Sequence, residues 1–270
     1  MSAPSSTVSP RAATAAQGSV GASPWLERRP RSSSAPPKLR LVCFPYAGGG
    51  AGVFRAWHGA FGPDVETVVL RAPGRESRLA EPALTRMEPL ADAASRAIEA
   101  LADRPLVLFG HSLGSLVALE VAHRLWAAGQ APAALLVSGR RAPHLPAAQP
   151  KLHDRPEAEL LAELRRMGGT PEELLADKAL MEMLLPMIRA DFEVFETYEP
   201  TPDRAPLPCP VVAYGGVRDA DVGREHLEAW RAYGNGEFDL HMFPGGHFFL
   251  QEGDARSLRA TVARALAKLK

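Results

Sequence analysis

The sequence predicts an α/β fold: a twisted, mainly parallel sheet flanked by helices and carrying a helical insertion. Three observations predict it. Mainly apolar runs of strand length, such as Leu39–Phe44 and Ala134–Ser138, are interspersed with helix-periodic stretches, as in a sheet built through crossovers. The run Gly110-His111-Ser112-Leu113-Gly114 stands between a strand-like segment, residues 106–109, and a helix-like one, residues 115–123. The last strand-like segment, residues 237–243, runs into Pro244-Gly245-Gly246-His247, which sets a histidine at a strand's C-terminal edge, where open parallel sheets place their chemistry.

Taken in chain order, residues 1–37 are rich in Ala, Ser, Pro and Arg, with Trp25 and Leu26 the one adjacent pair of large apolar side chains. They are expected to be a largely disordered extension. No apolar core of the kind a secretory signal needs is present in them, and a plain extension is preferred over a transit peptide because no amphipathic pattern supports the latter. Residues 38–270 are expected to form one domain, a common length for an α/β fold. Its first strand, Leu39–Phe44, runs into Pro45-Tyr46-Ala47-Gly48-Gly49-Gly50-Ala51-Gly52. Glycines there let backbone approach a ligand, which suits an oxyanion-binding loop. A phosphate cradle is the poorer reading, since no Gly-Lys-Ser/Thr follows.

The strand at 106–109 then turns sharply through Ser112. Glycines two before and two after remove side chains that would collide there, so the hydroxyl is presented rather than packed. A bare Gly-x-Ser-x-Gly could be only a turn; strand before and helix after make it a nucleophile elbow. The N–H of Leu113 is one expected oxyanion donor. A serine hydroxyl needs a base and a group to orient that base. His247 is the expected base, because His58, His123 and His226 fall in helical patterns, His144 and His153 in a polar connection, His241 inside a strand and His111 within the elbow. The strand ending at Gly215-Gly216 is followed by Val217-Arg218-Asp219-Ala220-Asp221-Val222, which offers two carboxylates before a helix starting near Gly223. One could orient the imidazole while the other caps the helix, and spacing does not choose between them.

An insertion spans about residues 143–203. Residues 157–164 read as helical up to Gly168-Gly169, a second helix is expected with Thr170 as cap and Pro171 first, and residues 179–198 form a third, apolar stretch. Such a stripe usually packs on the body. An insertion at this point also suits a lid, and Met183, Met187 and Phe192 are its expected acyl-lining residues.

Phe44-Pro45-Tyr46-Ala47-Gly48-Gly49, Pro73-Gly74-Arg75-Glu76-Ser77-Arg78, the elbow, Arg189-Ala190-Asp191, Gly215-Gly216-x-x-Asp219-x-x-Val222 and Gly246-His247 together resemble the type II thioesterases. These are free-standing editing hydrolases of polyketide synthase and nonribosomal peptide synthetase pathways, of the α/β-hydrolase superfamily. The likeness runs from about Leu39 to the C-terminus. Elbow and histidine are shared with the whole superfamily, whereas the Phe-Pro-Tyr-Ala-Gly-Gly and Pro-Gly-Arg-Glu segments are narrower. The resemblance implies Asp219 as the triad acid, with Val217-Arg218 before it a departure from the more polar family pattern. It also implies Ala47 as the second oxyanion N–H, and acyl thioesters on the phosphopantetheine of acyl or peptidyl carrier proteins as substrate. No cofactor and no metal are implied.

Composition narrows the classes further. The chain has 31 basic and 31 acidic residues and zero formal net charge, which argues against a nucleic-acid partner or an anionic membrane surface. No run approaches the roughly 20 apolar residues of a membrane span. Cys43 and Cys209 read as buried hydrophobes rather than a bridge, as in a reducing, cytoplasmic compartment, and a monomer is expected. The competing functions are a general carboxylesterase or lipase and a medium-chain fatty acyl-carrier-protein thioesterase. A non-catalytic binding module fits poorly with a complete Ser, Asp, His set.

Overall fold

The computed structural model describes residues 23–146, 151–252 and 255–269. Seven strands, β1 (Leu26–Arg28), β2 (Leu39–Phe44), β3 (Val65–Leu70), β4 (Leu106–His111), β5 (Ala134–Ser138), β6 (Val211–Gly216) and β7 (Phe238–Phe243), form one sheet in the order β1-β3-β2-β4-β5-β6-β7. From β3 to β7 every pairing is parallel, and β1 closes one edge antiparallel to β3. The central strands are buried on both faces, which is why they read as continuous apolar runs and not as alternating ones.

Side chains nevertheless sort by parity. Val42, Phe44 and Leu108 face the layer of α1 (Met87–Glu99) and α2 (Leu113–Ala127), where they meet Ala94, Ile98 and Leu116. Leu41, Cys43, Val107 and Phe109 face the opposite layer, built from the 3-10 helix Ala51–Trp57 and from α7 (Ala255–Ala267). Cys43 and Cys209 are both buried and free. The short α6 (Arg224–Glu228) follows β6. No helix among the described residues is long and apolar enough to cross a membrane.

Residues 1–22 of the expected N-terminal extension lie outside the described residues, and residues 23–37 correct that expectation. Leu26 is buried against the sheet, the Arg71 N–H donates to the Trp25 carbonyl at 2.7 Å, and the Arg78 guanidinium lies 4.4 Å from the centre of the Trp25 ring. Arg28 pairs with the buried Glu66 at 2.7 Å, which also holds Arg40 at 2.8 Å. A three-residue strand is too short to show periodicity, so composition hid it. The ordered domain therefore begins before residue 38.

The insertion contains α3 (Glu157–Met167), α4 (Glu172–Ala176) and α5 (Lys178–Glu196). Leu160, Leu164, Leu175, Met181, Leu185 and Ile188 give it an apolar core of its own. Pro171, not Thr170, is the cap of α4, and the first helical residue is Glu172. Its far end is latched to α2: the buried Glu120 accepts from Tyr198 at 2.8 Å and from Arg204 at 2.6 Å.

Candidate active site

Ser112 links β4 to α2 with φ 52° and ψ −119°, a left-handed conformation that a non-glycine residue holds only when its surroundings impose it. Those surroundings explain the flanking glycines. A Cβ at position 110 would collide with the backbone of Gly114 and Ser115, and one at position 114 with the carbonyls of Phe44 and Pro45. The turn is pinned from β5, since the Ser112 N–H donates to Ser138 O at 2.8 Å and the Ser115 hydroxyl donates to Gly110 O at 2.8 Å. Leu113 opens α2, so its N–H has no partner within the helix and is available to a developing oxyanion.

The expected base and acid come together from the ends of β7 and β6. His247 Nδ1 lies 2.7 Å from Asp219 Oδ2, a pair in which the imidazole N–H donates to the carboxylate. This fixes the tautomer and leaves Nε2 as the lone-pair nitrogen. That nitrogen is buried and has no partner among the described residues. Asp219 Oδ1 meanwhile accepts the N–H groups of Asp221 at 3.0 Å and Val222 at 3.1 Å, so one carboxylate both builds its loop and aims the ring. The departure at Val217-Arg218 is tolerated because both residues are held through their backbone N–H groups, to Phe243 O and Gly245 O, each at 2.9 Å. The Val217 side chain points into solvent at 60% exposure.

Asp221 does not cap the following helix. Its carboxylate pairs with Arg166 of α3 at 2.8 Å, tying the insertion to the body. His111, within the elbow, is fully buried, with its ring centre 5.3 Å from that of His247 and Nδ1 2.9 Å from Ser138 Oγ. Burial, reinforced by the neighbouring imidazole, holds its pKa well below the ordinary histidine value. It stays neutral beside the base.

Ser112, His247 and Ala47 share the wall of a cavity of about 430 Å³ beneath the insertion. Of the three expected lining residues only Phe192 reaches it. Met187 is buried in the insertion's own core and Met183 is 48% exposed, because on α5 the two sit on other faces of the helix than Phe192. Leu164 and Met167 of α3, with Arg140 after β5, line the chamber instead. Arg140-Arg141, one glycine beyond a buried strand, was the sequence signal that could have found the last of these.

The motifs at Arg75 and Asp191 acquire a structural meaning here. Both side chains are buried; Arg75 Nη2 lies 2.7 Å from Asp191 Oδ1, Asp191 Oδ2 accepts the Gly48 N–H at 2.7 Å, and Arg75 Nη1 donates to Gly49 O at 2.8 Å. One ion pair thus fastens α5 to the glycine loop that carries Ala47.

Sheet order, elbow and the His247–Asp219 pair define a serine hydrolase of the α/β-hydrolase type. Comparison with known proteins specifies it further: residues 39–268 match the thioesterase-domain family. The chain is 42% identical over 216 residues to the gramicidin S biosynthesis protein GrsT of Aneurinibacillus migulanus, covering 80% of this chain and 84% of that one. Among solved structures it is similar to RedJ, a thioesterase of the prodiginine pathway of Streptomyces coelicolor, with 40% identity, TM-score 0.79 and coverage of 87% and 91%. The type II thioesterase BorB of the borrelidin cluster superposes at TM-score 0.79 with 35% identity, covering 90% and 96%. The chain belongs to the thioesterase family, as one of its type II members.

Proposed function

We propose that this thioesterase clears acyl groups from the phosphopantetheine arms of carrier proteins in a polyketide or nonribosomal peptide pathway, using Ser112, His247 and Asp219. The observation that carries the residue assignment is the unpartnered His247 Nε2, on the same cavity wall as the strained Ser112 and with Nδ1 already committed to Asp219. His247 Nε2 takes the hydroxyl proton as Ser112 Oγ attacks the thioester carbonyl carbon. The N–H groups of Leu113 and Ala47 receive the oxyanion. As the C–S bond breaks, the imidazolium returns its proton to the leaving thiolate, and the carrier departs with a free thiol. Water, deprotonated by the same nitrogen, then attacks the acyl-serine, releasing a carboxylic acid and restoring the hydroxyl. Asp219 orients the ring and stabilises its charged form throughout. The pathways named for the GrsT and RedJ relatives support a carrier-borne substrate.

The test is mass spectrometry of a panel of acyl and peptidyl carrier proteins, each loaded with a different acyl group, before and after incubation with the enzyme. Loss of the acyl mass with an intact phosphopantetheine arm is expected. Hydrolysis of simple oxyesters with the loaded carriers untouched would instead favour a general carboxylesterase.

A further inference from the structure

Arg140 is a charged group of the chamber wall that the mechanism does not use. Gly139, with φ 57°, turns the chain after β5 against the His111 ring, where a Cβ would lie 2.6 Å from the ring carbon, and so delivers Arg140 to the cavity wall. Trp230 Nε1 fixes the Arg140 backbone by donating to its carbonyl at 2.6 Å, and the guanidinium carbon rests 4.8 Å from the centre of the Phe195 ring.

No carboxylate lies within ion-pair distance of Arg140 among the described residues, and its buried Nε has no hydrogen-bond partner. The acids on the same wall are already engaged. Glu196 accepts the Leu152 N–H and pairs with His153 at 2.6 Å, and Asp221 pairs with Arg166. Even the adjacent Arg141 has a neighbour, His226 Nε2 at 2.7 Å. Burial, with the nearby charge of Arg141 and against the attraction of Glu196, pushes the Arg140 pKa down to about 10, so it remains a cation at neutral pH. An Nε–H buried without an acceptor is costly, and buried polar groups otherwise find partners. Leu116, Leu145, Leu164, Met167 and Phe192 offer it none.

We propose that Arg140 is the recognition group for a second oxygen of the substrate, one beyond the scissile carbonyl, so that the chamber prefers acyl thioesters able to place a hydroxyl, keto or carboxylate oxygen against the guanidinium. This rests on the thioester-hydrolase reading above. The oxygen can come from the acyl chain or from an amide of the pantetheine arm, and the arms of the experiment separate the two. Butyryl, 3-hydroxybutyryl and succinyl groups are each offered as the ethyl thioester and as the pantetheine thioester, to the wild type, Arg140→Met and Arg140→Lys.

If the oxygen belongs to the acyl group, the wild-type preference for 3-hydroxybutyryl and succinyl over butyryl falls about 10- to 100-fold in kcat/KM in Arg140→Met, on either thiol, and Arg140→Lys restores part of it. If it belongs to the arm, the preference for pantetheine over ethyl thioesters falls instead, whatever the acyl group. A loss equal across all six substrates, or ratios that do not change, overturns the proposal. The same ratios read as Kd on Ser112→Ala, using amide analogues in place of the thioesters, keep the test independent of turnover. Absence of any hydrolysis by the wild type would count against the proposed function, whereas hydrolysis without the ratio change counts against Arg140 alone.

Discussion

At the scale of single residues, Asp219 carries two tasks on two oxygens, and this separates it from Asp221 two positions on. Asp219→Asn keeps the shape but offers the imidazole an amide in place of a charge, favouring the wrong tautomer. Its kcat should fall roughly 10²- to 10⁴-fold with KM little altered, measured on a pantetheine thioester. Ser112→Ala and His247→Ala should each lose on the order of 10⁴-fold or more, and a serine-directed phosphonate should label Ser112 alone. Asp221→Asn removes a partly exposed ion pair with Arg166, for which about 1 kcal/mol or less of stability is expected, with turnover near normal. Reversed phenotypes for the two aspartates would show that the imidazole is oriented differently in solution. Spacing alone could not choose between them, because both lie in one short loop. What distinguishes them is which carboxylate faces β7 and which faces α3, a fact of tertiary packing.

Among the elements, the edge strand β1 is where reading the sequence failed. Leu26 is buried on the rim of the sheet, so Leu26→Ala should cost about 2 kcal/mol, lowering Tm by roughly 4–8 °C in thermal unfolding. An unchanged Tm would mean that the strand adds nothing to the body. The central strands were legible because each is a short, mainly apolar run bounded by glycine or proline. β3, α1 and α7 carry no chemistry-bearing motif to mark them in the sequence, although Val65–Leu70 is as fully buried as its neighbours. The lid residues were half legible: a helical apolar stripe marks that α5 is covered, but not whether sheet, insertion core or cavity covers a given face. The Arg75–Asp191 contact was visible only as two motifs 116 residues apart. Removing one partner strands the other charge in the interior, so Arg75→Met and Asp191→Leu should each destabilise by about 3–5 kcal/mol, and the double variant by clearly less than their sum. Chemical denaturation of the three variants gives that cycle directly.

For the whole molecule, acid should act early. Burial, with the nearby Arg204, pushes the His123 pKa down to about 4, and burial holds that of His111 well below the ordinary histidine value. The unfolded chain, with ordinary histidines near pH 6.5, binds protons that the native state refuses. Stability is therefore at its full value above about pH 6.5 and falls as pH drops toward 4, with His123 alone contributing on the order of 3 kcal/mol of the loss. Glu120, held below its ordinary value despite its burial by Arg204, Tyr198 and Arg124, adds a second decline only below the normal carboxylate range. Urea titrations at pH 7.5, 6.5 and 5 should show the first decline, and His123→Gln should flatten it.

The bond network around Asp191 constrains how the chamber can open. A rigid swing of all three insertion helices would drag a carboxylate out of its socket and pull Gly48 with it, deforming the loop beside Ser112. Opening through α3 and α4, which share an apolar core with α5 and are tied to the body by Arg166 and Asp221, would leave the Asp191 network of α5 intact. Amide hydrogen exchange should accordingly be slower at residues 187–192 than at residues 160–176. In that mode an acyl chain meets Phe192 on a helix anchored to the glycine loop, so the gauge that judges it does not yield to it.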